Sequence, residues 1–149
     1  MNKLTKTLIA LTFATANQAF ANEDIFTYGE KAKNVHHVGD IWLQHLSNAD
    51  ENFDYNVAVA KSAPSAVLNW HFHPKNQQLI IIDGKGYYQE RGKDIQIVKK
   101  GDVIKCTPGV QHWHGASKEE GVTYIAISGN AKTEWFESID MAQYNAIEN

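Results

Sequence analysis

Histidine occurs seven times in the chain, and four of the seven fall into His71-Phe72-His73 and His112-Trp113-His114. Random placement of seven histidines gives roughly 0.3 such pairs, so two of them need a cause. Along a strand, residues i and i+2 project from the same face. Each pair then presents two imidazoles side by side. Neutral imidazole binds Zn, Cu, Fe, Ni and Mn, so the donor type alone does not select a metal. The competing reading is four polar residues in a core. Unpartnered imidazole nitrogens are costly inside a barrel, whereas one metal ion satisfies several at once. The single cysteine, Cys106, excludes a Cys-only metal site and an internal disulfide framework.

The elements that would carry these histidines are short strands cut by turns. Segments 41–46, 54–62, 67–73, 77–83, 87–90, 95–98, 103–106, 111–116 and 122–128 are rich in β-forming residues. Asp83-Gly84 and Arg91-Gly92-Lys93 read as turns that end strands, and Pro108-Gly109 as the turn that delivers His112. Turns recur every 8–12 residues or so, the spacing of an all-β sandwich or barrel. No helical stretch long enough for a βαβ crossover lies between them, which argues against a parallel α/β sheet. In the tail, Glu134-Trp135-Phe136 reads as one more strand. Asp140 is placed to cap a short C-terminal helix through Tyr144.

The chain has 149 residues and a formal charge of −3, which suits one domain. It has no Lys/Arg-rich run, so no nucleic-acid partner is expected. Lys3 and Lys6, the apolar stretch 8–16 and the small-x-small site Ala19-Phe20-Ala21 are ordered as in a secretory signal peptide. The apolar run is too short to span a membrane, which takes ~20 residues. The expectation is a cleaved segment 1–21, a single domain 22–149 and a periplasmic or secreted product. Cleavage removes two lysines and makes the mature chain more acidic.

The motifs resemble those of the cupin family, a small jelly-roll β-barrel. His71, His73 and Gly84 are in register with that family's first motif. Gln77 stands at its Glu position and Ser65 at its leading Gly. Gly101, Gly109 and His112 fit the second motif, with Pro108 one residue late and Ala116 where Asn is expected. Trp70-His71-Phe72-His73-Pro74, Gln77 and Leu79, then Pro108-Gly109 and His112-Trp113-His114-Gly115, are similar to a subgroup of single-domain cupins. It includes carboxymuconolactone-decarboxylase-associated and hydroxynitrile-lyase-type members, in which Gln at the ligand position is usual. The resemblance implies an all-β jelly-roll barrel with its core at about 41–128. It implies one divalent metal, Mn or Fe before Zn, Ni or Co, on His71, His73, Gln77 and His112.

Three neutral imidazoles and a neutral amide leave the ion's charge uncompensated, which strengthens it as a Lewis acid. His114, on the same strand face as His112, is the candidate general base or substrate hydrogen-bond donor. The expected activity is on a small hydroxy or carbonyl compound, of lyase (retro-aldol) type. An isomerase step, an iron-dependent dioxygenase and a non-catalytic ligand- or metal-binding module are the alternatives. By parity Ile104 and Cys106 face inward and Lys105 outward, with Cys106 a small buried hydrophobe. Trp70 and Trp113 are expected between sheets, and Trp42 and Tyr88 in core packing. His36, His37 and His45 carry no assigned role. A homodimer or higher homo-oligomer is expected, paired through edge segments near Ile41 and Trp135.

Overall fold

The computed structural model describes residues 24–33 and 35–148, so the segment 1–21 lies outside the described residues. The described chain is one curled antiparallel sheet with a short helix at its end. Its strands are β1 (Glu30–Lys31), β2 (His37–Val38), β3 (Ile41–Ser47), β4 (Tyr55–Ser62), β5 (Val67–Leu68), β6 (His71–Phe72), β7 (Gln77–Glu90), β8 (Gln96–Lys99), β9 (Val103–Cys106), β10 (His112–Ala116), β11 (Val122–Gly129) and β12 (Glu134–Trp135). The helix α1 is Met141–Asn145. One side of the curl runs β1-β3-β4-β11-β7-β9. On the other, β7 pairs with β8 and β10, and β10 carries β5-β2 and β6-β12 on its far edge.

The strand β7 belongs to both sides, and this corrects the expected turn at Asp83-Gly84. The strand does not end there. Gly84 has φ +75°, and a Cβ on it would lie 1.9 Å from the carbonyl oxygen of Gly121. The β11 pairing slips by one residue between Thr123 and Tyr124, opposite this point. A glycine with positive φ pressed by a neighbouring backbone gives a bulged bend rather than a reversal. Up to Gly84, β7 pairs with β11 and β9; from Lys85 it pairs with β8. The bend thus folds the sheet over on itself.

The expected strand 67–73 is divided. Asn69 N–H donates to the His36 carbonyl at 2.9 Å and Trp70 N–H to the Glu137 carbonyl at 3.1 Å. These side-on partners pull two residues out of the ladder between β5 and β6. Both pieces still pair with β10, with His71 directly opposite His112.

Inside the curl, Ala60, Leu79, Ile81, Tyr88, Val98, Ile104, Cys106, Ala116, Val122 and Tyr124 form the main core. Ile104 and Cys106 therefore lie where parity placed them and Lys105 is exposed; Tyr88 is in the core as expected, whereas Trp42 is only half-buried and outside it. Trp70 and Trp113 do not pack between layers. They face out from the opposite side, under the C-terminal tail with Tyr87, Ile139 and Tyr144. Their parity is the reverse of the histidines', so a tail rather than a second sheet covers them. Asp140 caps α1, its carboxylate accepting from Ala142 N–H at 2.8 Å. The Tyr144 hydroxyl donates to the Ala116 carbonyl at 2.8 Å and pins the helix beneath β10.

Candidate metal centre

Three short pieces of backbone build the site. His71 comes from β6, His73 from just beyond it, and His112 from the start of β10. Because β6 and β10 are paired at His71 and His112, two strands bring two histidine pairs to one spot. Ring centroids are 4.4 Å apart for His71 and His112, 5.1 Å for His71 and His73, and 5.4 Å for His73 and His112. The ligand atoms of the three lie within 4.8 Å of one another. His71 and His112 are buried and His73 is partly so.

The hydrogen bonds orient the rings. His71 Nδ1 donates to the Asn69 carbonyl at 2.8 Å, and His112 Nδ1 to the Val110 carbonyl at 2.9 Å. His73 Nδ1 shares a hydrogen bond of 3.1 Å with the Thr133 hydroxyl. With Nδ1 engaged by these partners, Nε2 is the nitrogen whose lone pair each ring can offer to a ligand. Nε2 of His73 and of His112 is buried without a partner. Gln77 repeats the pattern. Its Nε2 donates to the Ser128 hydroxyl at 2.9 Å, while its Oε1 is buried and unpartnered. Buried polar atoms without partners are rare and call for an explanation. Two imidazole nitrogens and an amide oxygen left bare among these four residues fit a divalent transition metal.

Burial disfavours the charged imidazolium throughout the cluster. With His112 as the next cause, burial pushes His71 down to about 3. Burial, again with His112, lowers His73 to about 4. His112 is lowered by burial too. All three therefore stand neutral, as ligation requires.

His114 lies on the same inner face, one residue pair deeper. Its ring centroid is 5.3 Å from His71 and 5.2 Å from Tyr124. Both of its ring nitrogens are buried and unpartnered. Burial, with the other three histidines adding to it, holds it well below the ordinary value. A void of about 10 Å³ beside it, lined by Leu79, Ile81 and Tyr124 among others, has room for one water-sized species. Cys106 is buried, and burial pushes its thiol up to about 12, which makes it a poor nucleophile.

Several contributors were not singled out in the sequence. The Asn69 and Val110 carbonyls hold ligand rings through backbone, which no residue type announces. Ser128 and Thr133 are ordinary hydroxyls whose part depends on strand pairing. Trp135 was placed on a strand but not at the site, yet its ring lies 4.8 Å from His71. Away from these contributors, Ser65, which the sequence already set at the glycine position of the first motif, has φ 64°, the left-handed conformation that favours glycine.

A curled antiparallel sheet that gathers three histidines and an amide has the architecture of a cupin and a donor set compatible with a metal ion. Residues 58–128 match the cupin domain model. A cupin-like protein from Thermotoga maritima is 41% identical, with a TM-score of 0.78, over 83% of this chain and 96% of that one. A cupin 2 conserved barrel domain protein from Rhodopseudomonas palustris, 19% identical, shares the fold with a TM-score of 0.62 over 76% of this chain and 79% of that one. The chain belongs to the cupin family. It is also similar to an (R)-mandelonitrile lyase from Granulicella tundricola, 38% identical over 85 residues. That match takes in 54% of this chain and spans 64% of the length of the relative.

Proposed function

We propose that the protein is a metal-dependent lyase that cleaves a small 2-hydroxynitrile into an aldehyde and hydrogen cyanide. The bare donors of His73, His112 and Gln77 carry the metal part of this reading. Similarity to the mandelonitrile lyase supports the reaction class.

His71, His73, His112 and Gln77 would hold the ion, Mn or Fe before Zn, Ni or Co. Bound there, it supplies Lewis acidity toward a substrate oxygen, with no ligand carboxylate to weaken its charge. His114 then moves the proton. Neutral, enclosed and without a hydrogen-bond partner, it accepts the substrate hydroxyl proton as the C–C bond to the nitrile carbon breaks. The electron pair of that bond leaves with cyanide, and the proton from His114 completes hydrogen cyanide. Leu79, Ile81 and Tyr124 keep water to about one molecule beside the ring, and the burial that disfavours an imidazolium there makes the protonated ring pass its proton on to the departing cyanide.

Mandelonitrile is the probe for the test, with benzaldehyde followed by absorbance and metal by elemental analysis. Close to one metal per chain with turnover is expected. His114→Ala should abolish turnover and keep the metal. Metal loss in that variant would make His114 a support of the site instead of its base. Less than about a tenth of an equivalent of metal, with none gained on reconstitution, would reject the reading.

Export directed by residues 1–21 and assembly as a homodimer or larger homo-oligomer are further parts of the proposal. The order of charges and apolar residues near Lys3 supports the first. The exposed edges of a small open sheet support the second. Intact mass of the secreted protein and light scattering test them. A chain still beginning at Met1, or a monomer, would remove the respective part.

A further inference from the structure

The strand β12 runs antiparallel to the first histidine pair, with Glu134 opposite Phe72 and Trp135 opposite His71. Side chains alternate along a strand, so Thr133 and Trp135 share one face, as His71 and His73 do. Both reach those histidines. The Thr133 hydroxyl is 3.1 Å from His73 Nδ1. The Trp135 ring is 4.8 Å from the His71 ring, tilted by 40°. His36 stacks on Trp135 at 4.6 Å and 6°. The His36 backbone is tied in turn to Asn69, whose carbonyl accepts from His71 Nδ1. Thr133, Trp135 and His36 all fall outside residues 58–128, the part that matches the cupin domain.

We propose that Thr133 and Trp135 are positioning residues, a two-point clamp by which the C-terminal strand sets the ring angles of His73 and His71 for metal binding. The inference rests on the metal reading above. Thr133 holds Nδ1 of His73 and so turns its Nε2 toward the other donors. Trp135 stops the His71 ring from swinging about its hydrogen bond to Asn69, and His36 stacks on the indole and steadies it. Glu134 lies between them in sequence and is exposed, so the clamp is made by alternate residues of one strand.

Affinity for Zn²⁺, measured by competition with a chromogenic chelator, tests this, alongside thermal melting of each metal-free variant. Thr133→Val and Trp135→Ala should each weaken binding about 10- to 100-fold, the usual effect of losing a group that orients a ligand. Thr133→Ser and Trp135→Phe should restore it to within about threefold. Glu134→Ala keeps the same backbone ladder and should bind as wild type. Phe136→Ala removes a contact to Phe72, whose ring centroid is 5.8 Å away, and loosens the same tail without touching a ligand. It too should bind as wild type. Wild-type affinity in Thr133→Val and Trp135→Ala would overturn the clamp. So would equal weakening by Phe136→Ala, which would mean that tail docking, not ring contact, matters. A wild-type protein that binds no Zn²⁺ would instead remove the metal reading, and the clamp with it.

Discussion

Stripped of metal and moved from about pH 8 to about pH 5.5, the protein should lose about 3 kcal/mol of folding stability or more. An unfolded histidine titrates near 6.5, so at about pH 5.5 protonation stabilises the unfolded chain by about 1.4 kcal/mol per histidine. The folded chain gains nothing comparable. Burial holds His71 down to about 3 and His114 well below the ordinary value. The unfolded state therefore binds more protons, and stability must fall as pH drops below about 6.5 toward these folded-state values. His71 and His114 alone account for about 3 kcal/mol. His73 and His112, lowered for the same reason, add to it. Carboxylates, which titrate near 4, contribute little in this window. Urea unfolding in the presence of a chelator, followed by tryptophan fluorescence, reads the change. With a slope of about 1–3 kcal/mol per molar, the midpoint should fall by about 1 M or more. A midpoint unchanged to within about 0.3 M would refute the buried, neutral histidine cluster. Saturating Zn²⁺ should raise the midpoint at about pH 8 and lose its effect toward acid, because protons compete for the same nitrogens.

Three further outcomes follow from the geometry. His112→Ala removes the donor opposite His71, and bound metal in elemental analysis should fall below about a tenth of an equivalent while the far-ultraviolet dichroism stays that of a β protein. Ser65→Gly should stabilise the protein by about 0.5–1 kcal/mol in urea melts, because φ 64° strains any side chain but suits glycine. Gly84→Ala should destabilise it by about 3 kcal/mol or more, or prevent soluble expression, since the new methyl would sit 1.9 Å from the Gly121 oxygen.

Strand positions were largely legible because period-two patterning and turn residues are local. The last strand and the cap at Asp140 were legible for the same reason. The histidine pairs were legible because i and i+2 share a face in any strand. Turn chemistry at Asp83-Gly84 was not, since the same dipeptide makes a hairpin or a bulge according to what presses against it. There the Gly121 backbone decided for the bulge. The break at Asn69-Trp70 depends on His36 and Glu137, residues distant in sequence that donate no local signal.

By itself, then, the sequence determined that His71 shares a face with His73 and His112 with His114, since alternation along a strand is a property of the chain; that the two pairs meet was implied by the family resemblance. Family resemblance carried Gln77 to the same place. Only the tertiary structure decided how each ring is held: His71 by a carbonyl and by Trp135, His73 by Thr133, and Gln77 by Ser128. These partners come from strands paired across long separations, and pairing register is fixed by packing of the whole sheet rather than by any stretch of it. The donors are written in the motifs, while their aim is set by the fold.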